Sequence, residues 1–281
     1  MRQAILITAY RDMAQLLRLV EWFDSDFEVF IHLDRKCHED VKQFEGREHV
    51  HMTKRFCVEW GDFNHLKAIV SLMREAFSHQ DLEFFHLITG SDYPAMTIAQ
   101  FKAFCEENRN INYVEHFPLP HSDWGAEGGL NRIRYWWIHP NTHRSAGATI
   151  TRRIINLQRR LGIRRPFKHF DGHLYGGGTY WSVSREAVSA ALDYFDAHPS
   201  YLRRFRWTSI AEEICLPSLW AGIGMPMHND YKRYIDWGTD GANPQVLSEK
   251  DYDNIVASGA LFARKLQSGT SDKLIALLNN R

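Results

Sequence analysis

Two stretches of this chain put carboxylates where they could act on a bound molecule. The first is Thr89-Gly90-Ser91-Asp92-Tyr93-Pro94, which follows the apolar run Phe84, Phe85, Leu87 and Ile88. Such a short run, ended by glycine, reads as a strand buried on both faces of a parallel sheet. Asp92 then emerges at its carboxyl end, where open α/β sheets place their ligands. An ordinary turn capped by the Asp side chain fits the same letters. The second stretch is Ser209-Ile210-Ala211-Glu212-Glu213. Ser209-x-x-Glu212 matches a capping box, which ties Glu212 to a helix N-terminus. Glu213 points elsewhere and is free to face a cleft. Near a helix N-terminus it should stay ionised, the form in which a carboxylate serves as a general base. Pro217 cannot donate to the Glu213 carbonyl, so the helix should be short or kinked there. Adjacent helical residues diverge by about 100°. Glu212 and Glu213 therefore do not flank one glycosidic bond as the paired carboxylates of a glycoside hydrolase do.

The elements that must position these groups follow a doubly wound pattern. Residues 4–8 read as a buried strand, followed by a helix marked by Met13, Leu16, Leu17 and Val20 that Asp12 could cap. A second strand covers residues 29–33 and ends in His32-Leu33-Asp34-Arg35-Lys36. Asp62 or Asn64 can cap a helix carrying Leu66, Ile69, Val70, Met73 and Phe77, which leads into the apolar strand before Asp92. A helix over 98–107 and a strand over 111–115 complete a first part, 1–115, in which strand and helix alternate; a three-layer α/β sheet is the natural solution. Gly176-Gly177-Gly178 either lets backbone approach a ligand or permits a sharp turn, without Walker or Rossmann spacing. A helix over 185–198 follows.

At 281 residues the chain can bury one substantial core, and no linker divides it, so one domain is expected. Thirty-four basic residues balance thirty-four acidic ones, so net charge makes no case for nucleic acid. Aromatic residues at 13%, nine of them Trp, are a weak hint of sugar or nucleobase sites. Four widely spaced cysteines without a secretory signal suggest reduced thiols in a cytoplasmic compartment. No apolar run nears the roughly 18 residues of a membrane span, so a soluble or peripheral protein is expected. Residues 128–170 contain no Asp or Glu but ten Arg and Lys. Within this basic insertion Ile150, Ile154, Leu157 and Leu161 recur at helical spacing, giving an amphipathic helix with an arginine-rich side. It could lie on an anionic membrane surface or bind a polyanion, or be a solvated face packed on the domain.

Taken in order, these residues resemble the core-2/I-branching β-1,6-N-acetylglucosaminyltransferases and the related peptide O-xylosyltransferases of glycosyltransferase family 14. Ile31-His32-Leu33-Asp34-Arg35-Lys36 is similar to the family's His-x-Asp-x-Lys element, and Val58-Glu59-Trp60-Gly61 to its Val-x-Trp-Gly segment. Leu87-Ile88-Thr89-Gly90-Ser91-Asp92-Tyr93-Pro94 resembles its most specific block. Gly177-Gly178-Thr179-Tyr180-Trp181, Glu212-Glu213, Tyr234-Ile235-Asp236-Trp237 and Phe262-Ala263-Arg264-Lys265 resemble its later signatures. The resemblance covers most of the chain and looks like that of a bacterial-type, cytoplasmic member. It implies a GT-A-like α/β/α sandwich with a Rossmann-like nucleotide-sugar-binding half, 1–115, and an acceptor and catalytic half, 171–281. It also implies a UDP-sugar donor, most readily UDP-N-acetylglucosamine or UDP-xylose, a glycan or lipid-linked glycan acceptor, and inversion at the anomeric carbon. Glu213 would be the base, Lys265 and Arg264 would stabilise the departing diphosphate, and Asp34 and Asp92 would contact the nucleotide sugar. Glu127, Arg132, Arg134 and Trp181 would stand on the acceptor side.

A metal is not expected. GT-A enzymes that use Mn²⁺ hold it with Asp-x-Asp just after a strand, and here that loop offers Asp92 alone. Asp24-Ser25-Asp26 and Asp251-Tyr252-Asp253 do not follow buried strands. Of fifteen histidines, His139 and His143 are four apart, but Pro140 between them opposes a helix presenting both. A noncatalytic glycan- or nucleotide-binding protein on the same fold is the alternative reading.

Overall fold

The structure, a computed structural model, describes residues 1–138, 146–238 and 243–281. In chain order its elements are β1 (Arg2–Ala9), α1 (Met13–Trp22), β2 (Phe27–Leu33), β3 (Val50–Thr53), α2 (Phe63–Phe77), β4 (Leu82–Thr89), β5 (Asp92–Pro94), α3 (Ile98–Glu107), β6 (Tyr113–Val114) and β7 (Phe117–Pro118). There follow α4 (Asn131–Arg134), α5 (Ala146–Arg160), β8 (Tyr175–Gly176), β9 (Trp181–Ser184), α6 (Arg185–Ala197), α7 (Pro199–Arg204), α8 (Glu212–Gly222), β10 (Arg233–Ile235), α9 (Tyr252–Ala257), β11 (Phe262–Arg264) and α10 (Asp272–Asn279).

Six strands form the central sheet in the order β3-β2-β1-β4-β9-β6. The first four run parallel, β9 enters antiparallel beside β4, and β6 closes the edge antiparallel to β9. The strand expected at 111–115 is thus a two-residue edge strand, separated from β4 by β9. Alternation along β1 sends Ala4 and Leu6 into one apolar layer with α2, α6 and α8, and Ile5 and Ile7 into the other with α1, α3 and α10. Burial on both faces explains why β1, β2 and β4 read as continuous apolar runs. A small second sheet, β10-β11-β5, pairs Arg264 with Asp92 in antiparallel register.

Local signals set the helix starts that matter here. Asp12 caps α1 by accepting from the Gln15 N–H, and Asp62 caps α2 by accepting from Asn64 and His65. α8 differs from expectation in both start and course. Ile210, at φ 50°, turns the chain before Ala211, whose side chain caps nothing, so the Ser209/Glu212 capping box does not form. The helix then runs through Pro217 to Gly222. The Glu213 carbonyl, deprived of its helical donor by the proline, accepts the Gly177 N–H at 3.0 Å instead.

The basic helix α5 forms as expected but is turned differently. Thr151, Ile155 and Gln158 face the protein, while Ile150, Leu157 and Leu161 are exposed. His139, Pro140, His143 and Arg144 lie outside the described residues.

Candidate active site

The carboxyl ends of β1, β2 and β4 form one rim. Beyond β2, Asp34 is buried: one carboxylate oxygen accepts the Lys36 N–H at 2.7 Å and the other the Val58 N–H at 3.1 Å. The first bond closes the β2 loop on itself and the second joins it to Val58-Glu59-Trp60-Gly61. Beyond β4, Asp92 is 1% exposed; Oδ2 accepts the Thr89 N–H and Oδ1 accepts from Arg264 at 3.0 Å. Both carboxylates thus have protein partners at the rim where contact with the donor is expected. They shape the loops, and Asp92 holds Arg264 in place.

Arg264 also donates to the Thr89 hydroxyl at 2.6 Å and lies over the Tyr180 ring at 4.8 Å. Burial opposes its charge, but Tyr180 and Asp92 outweigh that and hold its pKa above the ordinary value. The adjacent Lys265 is half-buried, and burial, with repulsion from Arg11 and Arg264, lowers its pKa. Arg11, two residues past the end of β1, thus joins Arg264 and Lys265 in a cluster of positive charge at the sheet's carboxyl edge. Sequence reasoning missed Arg11, although its place just past a parallel strand was a usable signal.

Glu213 stands at the start of α8 with a quarter of its side chain exposed. Arg132 donates to its Oε2 at 2.6 Å; Oε1 takes no hydrogen bond among the described residues. Withdrawal from water raises its pKa to about 7 against the pull of Arg132, with Glu212 and Glu115 adding repulsion. The expectation that Glu213 tends to stay ionised is corrected: burial outweighs the helix terminus. A carboxylate near 7 is poised to take up and release a proton at neutral pH.

Glu212, freed from the cap, is buried and accepts from His65 Nδ1 at 2.8 Å, while His65 Nε2 meets the Thr8 hydroxyl at 3.3 Å. Burial disfavours charge on His65, but Glu212, Asp62 and Glu213 outweigh it and raise its pKa. This pair ties the end of β1 to the start of α8, and no spacing in the sequence announced it.

Beside Glu213, the Arg132 guanidinium stacks at 3.9 Å over Trp124, a ring the sequence reading did not single out. Glu127 accepts from Tyr135 at 2.8 Å, Arg159 at 3.0 Å and Arg134 at 3.4 Å. Arg132 is thus beside the carboxylate, while Glu127 and Arg134 pair with each other. Trp181 is not with them. It is fully buried in β9, edge-on to Trp220 at 5.7 Å, because its strand position faces the inner layer.

The glycine triplet serves packing. A Cβ on Gly177 would lie 1.9 Å from the Glu115 carbonyl oxygen, so only glycine lets the chain pass Glu115 this closely. At the opposite, amino end of the sheet, Glu28, His51 and His79 bring potential metal-ligand atoms within 4.8 Å of one another, remote from the rim in strand register. At the rim itself Asp92 and Asp34 have both oxygens engaged.

No protein-family profile matches the chain. It is 23% identical over 300 residues to Xylosyltransferase 2 of Homo sapiens, covering 96% of this chain and 32% of that protein. It is 22% identical over 307 residues to Xylosyltransferase 1 of Rattus norvegicus, covering 98% of this chain and 35% of that protein. The chain spans about a third of the length of these relatives. The similarity is distant but runs along nearly the whole chain, and it supports a relationship to glycosyltransferases.

Proposed function

We propose that this protein is an inverting glycosyltransferase with a GT-A-like fold. It moves a sugar, N-acetylglucosamine as the first choice, from a UDP-sugar to a hydroxyl of a glycan, free or lipid-linked. Glu213 takes the acceptor hydroxyl proton as that oxygen forms a bond to the anomeric carbon. The bond from the anomeric carbon to the diphosphate oxygen breaks, and Arg264, Lys265 and Arg11 stabilise the charge left on UDP. Arg132 and Trp124 present the acceptor beside Glu213, with Glu127 and Arg134 behind them. The reaction in this reading uses no bound metal, and the three cations at the rim support it, since they can carry the charge of the diphosphate.

The observation that carries this reading is the pairing of a carboxylate with pKa near 7 and a cationic cluster, both close to Tyr180. The Tyr180 ring lies beneath Arg264, and the charge of Glu213 acts on its hydroxyl. The distant similarity to xylosyltransferases supports the reaction class and keeps UDP-xylose in the donor panel.

The test is UDP release from a panel of UDP-sugars with a mixture of glycan acceptors, in EDTA and in Mn²⁺, for the wild type and Glu213→Gln. General-base catalysis contributes about 10² to 10⁴ in rate, and the variant should lose that much. Undiminished transfer by Glu213→Gln would refute the assignment, and release that requires Mn²⁺ would refute metal independence. Tight UDP binding without turnover would favour a noncatalytic binding protein.

A further inference from the structure

The transferase reading leaves the basic helix α5 without a task. Its apolar stripe has the spacing of a buried face, yet Ile150 and Leu157 are each 55% exposed and Leu161 is 62% exposed. At about 100° per residue the stripe lies roughly a quarter turn from the seam of Thr151, Ile155 and Gln158 that packs on the protein. Gln158 extends the surface: its side chain bonds both the N–H (2.9 Å) and the carbonyl (3.3 Å) of exposed Trp136, and its own carbonyl accepts the N–H of exposed Ile163. Of the twelve large hydrophobic residues exposed among the described residues, six fall between 136 and 163. They are therefore concentrated in one segment of the chain rather than scattered singly along it.

Charge points to what covers this patch. On the helix wheel Arg153 and Arg160 flank the stripe on the side away from the packed seam. Both are exposed, as are Arg152 and Arg164, and none of the four meets a carboxylate among the described residues. Arg159, by contrast, is held by Glu127. Since 128–170 contains no acidic residue, nothing in the segment offsets the charge. A second copy docked symmetrically on the stripe would bring the same arginines together uncompensated. A nucleic acid would leave the apolar side chains unused.

We infer that α5 docks on an anionic phospholipid bilayer. The helix lies in the interface plane, with Ile150, Leu157 and Leu161 entering the acyl boundary and Arg153 and Arg160 at the headgroups. No helix among the described residues is long and apolar enough to cross a membrane, so the contact is one of lying on the surface.

The test is flotation of the full chain with vesicles of phosphatidylcholine alone or mixed with phosphatidylglycerol, read without donor or acceptor, so it stands or falls apart from the transferase reading. The wild type should float with the mixed vesicles and release in high salt. Each arginine near an anionic surface is worth about fivefold in partitioning, so Arg153→Gln with Arg160→Gln should cost about 30-fold. Ile150→Ser, Leu157→Ser and Leu161→Ser together should abolish binding while leaving the unfolding temperature unchanged, since these side chains are already in water. Absence of flotation by the wild type would overturn the inference. So would loss in the arginine variant alone, which marks a polyanion site, or a dimer that the serine variant dissolves, which marks a second copy as the occupant.

Discussion

The Gly177 N–H donates to the main-chain carbonyl of Glu213, and it can do so because Pro217 has no N–H to claim that carbonyl for the helix. A proline that weakens α8 as a helix thus anchors its first turn to the glycine loop. Gly177 in turn has no room for a side chain against Glu115. The position of the proposed base is therefore set from outside its own helix.

Gly177→Ala tests that anchor. The added methyl cannot fit without backbone movement, and overpacking of this kind costs about 1–3 kcal/mol. The expected result is a folded protein with a lowered unfolding temperature and a turnover reduced more than donor affinity. Unchanged turnover would show that the Gly177 bond does not position Glu213.

The proposed base also sets a pH profile. With its pKa raised to about 7, Glu213 is protonated and inactive below neutrality, so turnover should rise with pH through an apparent value near 7. Arg132 lowers that pKa, so Arg132→Gln should move the acidic limb to higher pH as well as slow the reaction. A limb that stays in place in this variant would mean that another group is being titrated.

Much of this was legible in the sequence, and the exceptions share a cause. β1, β2 and β4 are buried on both faces, so their composition alone identified them, and Asp12 and Asp62 mark helix starts by local chemistry. Glu213 was reached by excluding its neighbour. The exclusion rested on a capping box that the left-handed turn at Ile210 prevents, yet Glu212 is indeed occupied, by His65. Trp181 went astray because its place beside the glycine turn does not say which layer the ring enters, and the protein partners of Asp34 and Asp92 are set by contacts that no spacing announces. The stripe of α5 was visible, whereas which face packs depended on Gln158 finding the Trp136 backbone, a contact between residues 22 apart.

Asp92→Asn separates holding Arg264 from touching a ligand. Removing one partner of a buried pair typically costs about 3–5 kcal/mol, because the other charge is left uncompensated. With Arg264 16% exposed and Asp92 1%, the variant should unfold at a distinctly lower temperature with no donor present, and should also bind UDP more weakly. Weaker UDP binding at unchanged stability would instead make Asp92 a direct ligand contact.

His65 and Glu212 give stability its own pH dependence. The folded-state pKa of His65 is raised above its ordinary value of 6.5, since Glu212, Asp62 and Glu213 overcome the burial that opposes its charge. The folded protein therefore holds this proton more tightly than the unfolded chain does. The resulting stabilisation is fully present below about pH 6.5 and is lost as pH rises through the higher folded value. A glutamine in place of His65 can still donate to Glu212 but carries no charge. His65→Gln should thus destabilise the protein below pH 6.5, by about 1.5–3 kcal/mol for a charged hydrogen bond, and progressively less as pH rises. Glu213, whose raised pKa makes stability fall between about pH 4.5 and 7, slopes the same way, so the comparison belongs in a Glu213→Gln background. If adding His65→Gln to that background left the unfolding temperature at pH 5.5 unchanged, His65 would be held neutral and secured by Thr8 alone.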